Sequence, residues 1–186
     1  VKNTLILFCF VFCHWVIAQS DINFKWWSPT EHGLRVIEGQ AWFDELAAPY
    51  DRLPKRSVNQ VAPHIWELSK HSAGLMIRFR SNAEEIRIRY KINDENEINM
   101  VHMPTTGVSG LDLYAINSDG IEVWCGTQNL VFGDTVTYVF PNLNANDCYH
   151  DRGREYRLYL PLYNQVTWME FGVAEDSYFE PLLVRK

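Results

Sequence analysis

From Leu75 onward, apolar and polar residues alternate with period two. Leu75, Ile77 and Phe79 share one side of an extended chain, with Met76, Arg78 and Arg80 on the other. After the polar turn Ser81–Glu85 the alternation resumes, with Ile86, Ile88 and Tyr90 set against Arg87, Arg89 and Lys91. This pair predicts a hairpin with one wet, cationic face. Further strands are predicted over Leu111–Ile116 and Ile121–Cys125, joined across Asn117-Ser118-Asp119-Gly120, and over Thr135–Phe140, Tyr156–Leu160 and Val166–Val173. No helical stripe of useful length competes with them. Short strands with turn signals roughly every 10 residues predict an all-β fold, a jelly-roll-like antiparallel β-sandwich.

Two stretches break the period. Residues 44–70 are punctuated by Pro49, Pro54 and Pro63 and read as a long loop with at most a short helical turn. Residues 92–107 form a second long connection, acidic at Asp94, Glu95 and Glu97, then His102-Met103-Pro104-Thr105-Thr106-Gly107. Loops of this length in a compact domain are commonly functional or interfacial. With no repeats, low-complexity tract or Gly/Ser-rich linker, a single domain is expected.

The first residues read as an export signal. Lys2 supplies a short basic start, Leu5–Phe12 is continuously apolar, and Val16-Ile17-Ala18 offers a cleavage site, so residues 1–18 are expected to leave and Gln19 to begin the mature chain. A spanning helix needs about 20 apolar residues, and His14 interrupts this run. Neither Cys9 nor Cys13 follows a lipobox. The expected location is therefore secreted or periplasmic, with no membrane attachment once the signal is gone. The full chain holds 17 basic and 23 acidic residues, and the signal removes only Lys2. That balance, with no basic cluster, argues against nucleic acid as a partner. Of the four cysteines only Cys125 and Cys148 would remain. Export permits a bridge between them, but two residues do not make a framework. The favoured reading is a buried strand thiol at Cys125 and a loop position for Cys148.

No complete catalytic constellation is legible. Gly133-Asp134-Thr135 imitates a serine-hydrolase turn but carries threonine and opens an alternating strand. Asp147-Cys148-Tyr149-His150 spells the Asp-x-x-His of such enzymes, inside a polar loop with no serine block ahead of it. Gly107-Val108-Ser109-Gly110-Leu111 misses the nucleophile-elbow spacing by one glycine. His71 and Ser72 are adjacent, so in regular extended structure they point apart. The histidines show no metal-ligand spacing, and Asn142–Asp147 reads as turn chemistry rather than a calcium loop. No catalytic residue, metal or cofactor is assigned. Among the aromatics, Trp26 and Trp27 must face opposite ways in a strand. Trp124 and Trp168 fall out of phase with their apolar neighbours, which suits rings at a surface or interface.

Gly110-Leu111-Asp112-Leu113-Tyr114 is the most distinctive segment. With Pro49–Pro54, Leu68–Leu75, His102–Gly107 and Tyr156–Asn164 in the same order, it resembles the G-x-D-L-Y leading domain of secreted SGNH/GDSL-type esterases. The resemblance implies a β-sandwich over residues 19–180, with 181–186 beginning the link to an α/β catalytic domain. That domain, an intramolecular partner, would hold the Ser, Asp and His and deacylate carbohydrates. One departure is Glu38-Gly39-Gln40-Ala41-Trp42, where Glu-Gly-Arg-Gly-Trp is expected. His102, Gly110, Asp112, Leu113 and Tyr114 are the candidates for the motif and the interdomain seam. Leu113 is expected in the core. Asp112 is expected to accept hydrogen bonds from a loop or to pair with an arginine, and His102 or Tyr114 to reach the seam and line an acyl or sugar pocket. The alternative is a free-standing carbohydrate-binding module, for which the signal, sandwich and tryptophans would also serve.

Overall fold

The computed structural model of the chain describes residues 23–94, 98–143 and 152–185. In chain order the strands are β1 (Phe24–Trp27), β2 (Ile37–Glu38), β3 (Met76–Ser81), β4 (Ile86–Ile92), β5 (Asp112–Ile116), β6 (Glu122–Trp124), β7 (Gln128–Val131), β8 (Val136–Phe140), β9 (Arg154–Tyr159), β10 (Val166–Ala174) and β11 (Phe179–Pro181). They form two antiparallel sheets, ordered β1-β10-β4-β8-β7 and β11-β3-β9-β5-β6, with β2 joining β3. Ile86, Ile88, Tyr90, Tyr138 and Phe171 point inward from the first sheet. Ile77, Phe79, Leu113, Tyr156 and Leu158 meet them from the second, and all ten are buried. Phe79 ties the layers together, edge-on to Phe171 at 5.2 Å and stacked on Tyr156 at 5.4 Å. Each such side chain contributes about 1.5–3 kcal/mol of burial, so this shared layer dominates the stability. The fold is an all-β sandwich.

The alternating segments all became strands, but one pairing differs. Rather than forming a hairpin, β3 and β4 lie in different sheets. Their connection is an arch held from the far end of the chain. The Ser81 hydroxyl donates to the Tyr178 carbonyl at 2.8 Å, Asn82 Oδ1 accepts from the Tyr178 N–H at 2.6 Å, and Ala83 is buried. Period two fixes which side chains share a face, not which strand is the neighbour. The wet cationic face is corrected for the same reason, since its arginines divide between two outer faces and each is paired with an acid or an aromatic ring. Arg78, only 8% exposed, pairs with Glu38 and donates to the Leu183 carbonyl at 2.9 Å. Arg87 and Arg89 lie over the Phe24 and Trp26 rings at 4.0 and 3.6 Å.

Residues 44–70 are more ordered than expected. They contain a short 3-10 turn over Lys55–Asn59 and a two-turn helix α1 (Pro63–Ser69), opened by proline at its first position, where a missing N–H costs nothing. A second short helix, α2 (Thr105–Val108), precedes β5. The Asn117–Gly120 turn closes a β5–β6 hairpin as expected, with Gly120 at φ +78°. Among the described residues, no helix is long and apolar enough to cross a membrane.

Candidate interdomain site

At one end of the sandwich the chain enters β5 from α2 and leaves β9 toward Asn164. The Tyr163 N–H donates to the Val108 carbonyl at 2.9 Å, which locks the two connections together. A buried polar network lies behind this contact. Asn164, 3% exposed, donates from Nδ2 to the Asp94 carbonyl at 2.9 Å and to Ser109 Oγ at 3.2 Å. Its own carbonyl accepts from the Ser72 N–H at 3.0 Å. Ser109 donates onward to the Ile98 carbonyl at 3.1 Å, and Tyr90 Oη donates to the Ser109 carbonyl at 2.7 Å. Buried polar atoms are costly unless paired, so this network fixes one arrangement of the two loops. Beside it, the buried Asp51 accepts from Lys70 Nζ at 2.6 Å and from the Ala48 N–H at 3.1 Å.

These anchors frame an open polar cleft of about 660 Å³ lined by Lys70, His71, Asp94, His102, Tyr163 and Gln165. Burial and the nearby Arg52 guanidinium hold the His71 imidazole below its ordinary pKa, favouring the neutral ring. Arg52 is itself fixed by donating to the Leu68 and Ser69 carbonyls at 2.6 and 3.2 Å. His102 stands exposed on the Met100–Met103 turn and has no hydrogen-bond or ion-pair partner among the described residues.

Within the motif the residues divide by role. Gly110 is obligatory for packing: a Cβ there would lie 2.2 Å from the Thr106 carbonyl oxygen and 2.5 Å from Tyr138 Oη. Leu111 and Leu113 are buried, Leu113 completely. Asp112 and Tyr114 lie on the opposite face, as the alternation requires. Tyr114 meets Tyr159 edge-on at 5.7 Å and stands opposite the exposed Trp124 across the β5–β6 pair. Glu122 holds this outer face together, accepting from Arg157 at 2.5 Å and from Tyr159 Oη at 3.2 Å. The expectation for Asp112 is corrected. It is exposed at the start of β5, and among the described residues neither a loop N–H nor an arginine pairs with it. The arginine nearest in register, Arg157, faces Tyr114 and is taken by Glu122.

Residues 24–179 match the model of the family described as GxDLY, the N-terminus of SGNH-type esterases. The chain belongs to that family. A GDSL-like lipase from Bacteroides ovatus is similar in structure to this GxDLY domain, with 24% identity and a TM-score of 0.70 over 85% of this chain and 43% of that one. The salicylyl-acyltransferase SsfX3 from a tetracycline biosynthetic pathway is similar at 17% identity and a TM-score of 0.56, over 88% of this chain and 43% of that one. At these identities the likeness shows a shared fold. The domain spans less than half the length of either structure. A search of curated proteins found no match.

Among the described residues of the GxDLY domain no serine–histidine hydrogen bond forms, and the serines flanking His71 serve the backbone. Ser72 Oγ accepts from the Val166 N–H at 2.9 Å, and Ser69 donates to the Trp66 carbonyl at 2.6 Å. Asp134 is taken by Lys91 at 2.8 Å, as the turn reading of Gly133-Asp134-Thr135 implies. No group of three or more metal-ligating side chains occurs among the described residues. Asp147–His150 and the larger part of Asn142–Asp147 lie outside them. Cys125 is a free, buried thiol raised above its ordinary pKa by burial, while Cys148 lies outside the described residues. The Gln40 departure has a local answer, since its amide donates to the Pro49 and Asp51 carbonyls at 2.7 and 2.9 Å and ties that loop down. Sequence reasoning did not join Asn164, Ser109, Tyr90 and Ser72 into one network. The available signal was the presence of Ser72 and Asn164 in motif segments, with Ser109 directly ahead of Gly110; Tyr90 of β4 carried none.

Proposed function

We propose that this chain is the non-catalytic leading domain of an exported SGNH-type esterase that removes acetyl or similar acyl groups from carbohydrates. Residues 1–18 serve as the export signal and 19–180 form the sandwich, to which Pro181 in β11 and the hydrogen-bonded Leu182–Val184 also belong; the connection to the catalytic domain, which carries the Ser, Asp and His, therefore begins after Val184 rather than at 181. The observation carrying this reading is the division within the motif. Gly110 and Leu113 are consumed by the domain's own packing, whereas among the described residues Asp112 has no hydrogen-bond or ion-pair partner. An exposed carboxylate in the segment that distinguishes the family is explained by a partner outside the domain. His102 lies in the loop cleft ahead of α2 and β5, and Tyr114 stands beside Trp124 on the outer face of the second sheet; in this reading the seam runs from the His71–His102 cleft across Asp112 to Tyr114 and Trp124. There the domain fixes the catalytic loops and contributes a wall to the acyl or sugar pocket. The relatives' chains, each more than twice as long as the matched part, leave room for such a partner. To test this, the chain is produced with and without the residues that follow Lys186, and acetate release from acetylated xylo-oligosaccharides is measured. Turnover by the longer protein alone is expected; turnover by the isolated domain would overturn the reading.

A further inference from the structure

The outer face of the first sheet lies on the opposite side of the sandwich from Asp112 and Tyr114, and it has a different chemistry. Register places Trp168 beside Lys91 and Glu170 beside Arg89, with Thr137 next to Arg89 on β8. Trp168, Lys91, Arg89, Glu170 and Thr135 line a shallow depression of about 590 Å³. Trp168 is half-buried, and its ring makes no aromatic or cation contact among the described residues. The two cations are each balanced, Arg89 by Glu170 and Lys91 by Asp134. None of the exposed large hydrophobic side chains lies on β1, β4, β8 or β10. A protein-docking face would need such anchors, and an anion site would need uncompensated positive charge. A half-buried indole at the rim of an open depression, ringed by balanced donors and acceptors, instead matches a neutral ring bearing hydroxyl groups, which offers an apolar face for stacking and a polar rim for hydrogen bonds.

We infer that this depression is a carbohydrate-binding platform for neutral sugar units of a polysaccharide, separate from the interdomain seam and open when the seam is occupied. Trp168 stacks on a sugar ring, Arg89 and Lys91 donate to its hydroxyls, and Glu170 and Thr135 accept from them. The inference extends the esterase reading, for which it supplies a means of holding polymeric substrate, and the test separates the two. Retardation of the full-length protein is measured in native gels containing glucomannan, xylan or polygalacturonate, beside Trp168→Ala and Thr135→Arg. The first variant removes the stack; the second fills the depression and leaves the indole in place, so a folding defect in one does not decide the matter. Hydrolysis of a small soluble acetyl ester is measured in parallel. Retardation by a neutral polymer, weakened about tenfold in both variants with small-ester hydrolysis unchanged, is expected. No retardation by either neutral polymer, retardation unaffected by both variants, or retardation by polygalacturonate alone would overturn the platform. Loss of small-ester turnover in the unmodified protein would instead overturn the esterase reading and leave the platform standing.

Discussion

Replacing Gly110 and Asp112 separately by alanine should have opposite consequences, although the two are one residue apart. At Gly110 the added Cβ meets the Thr106 carbonyl oxygen at 2.2 Å and Tyr138 Oη at 2.5 Å. Neither can yield freely. The Thr106 carbonyl belongs to α2, and Tyr138 is 1% exposed and packed against Tyr90 and Phe140. Overpacking of this kind costs roughly 1–3 kcal/mol, and the backbone clash places Gly110→Ala at the upper end. For a domain of this size each kcal/mol moves Tm by about 2–4 °C, so a fall of roughly 4–12 °C is expected. Asp112→Ala removes an exposed carboxylate with no hydrogen-bond or ion-pair partner among the described residues, and surface changes of that kind stay within about 0.5 kcal/mol. Circular dichroism melting of the two variants beside the parent chain decides the point. A Tm loss of more than about 5 °C in Asp112→Ala would show that the carboxylate works within its own domain and would refute the reasoning.

Three further outcomes follow from the same geometry. Asn164→Ala should cost about 2–4 kcal/mol in urea unfolding, because it removes the amide that donates to the Asp94 carbonyl and Ser109 Oγ in a buried site; a loss below about 1 kcal/mol would mean that water replaces the amide. His71 has its pKa lowered by burial and Arg52, so the unfolded chain binds the proton more readily. Stability should therefore decline as pH falls below the ordinary value of 6.5. His71→Gln should flatten that decline in pH-resolved urea titrations, and an unchanged slope would remove His71 as its source. Leu113→Ala should lose about 2–5 kcal/mol in the same assay, with no restoring effect of adding the catalytic domain.

Much of the fold was legible because burial on one face writes itself into alternation. The inward rows Ile86-Ile88-Tyr90 and Leu111-Leu113 were assigned correctly, as was the β5–β6 turn. The pairing of β3 was not legible, because the contacts that turn Ser81–Glu85 into an arch come from Tyr178, nearly a hundred residues later. The short strands β1, β2, β7 and β11 escaped notice for a related reason. Edge and half-buried strands owe their geometry to a neighbour rather than to a pattern of their own. α1 was hidden by the prolines that flank and open it. Alternation also placed Trp124 and Trp168 on outer faces of the sheets, where Trp124 is exposed and Trp168 half-buried. Asp112 was misread because alternation shows that a carboxylate faces away from the core without showing what it meets there.

The central claim is that the exposed half of the motif acts on a neighbouring domain, and kcat/KM of full-length Asp112→Ala toward an acetylated oligosaccharide tests it most directly. The account predicts a fall of at least about tenfold, or roughly 1.4 kcal/mol of transition-state stabilisation, while the sandwich melts at its usual temperature. Unchanged kcat/KM would contradict the claim and leave Asp112 an ordinary surface residue.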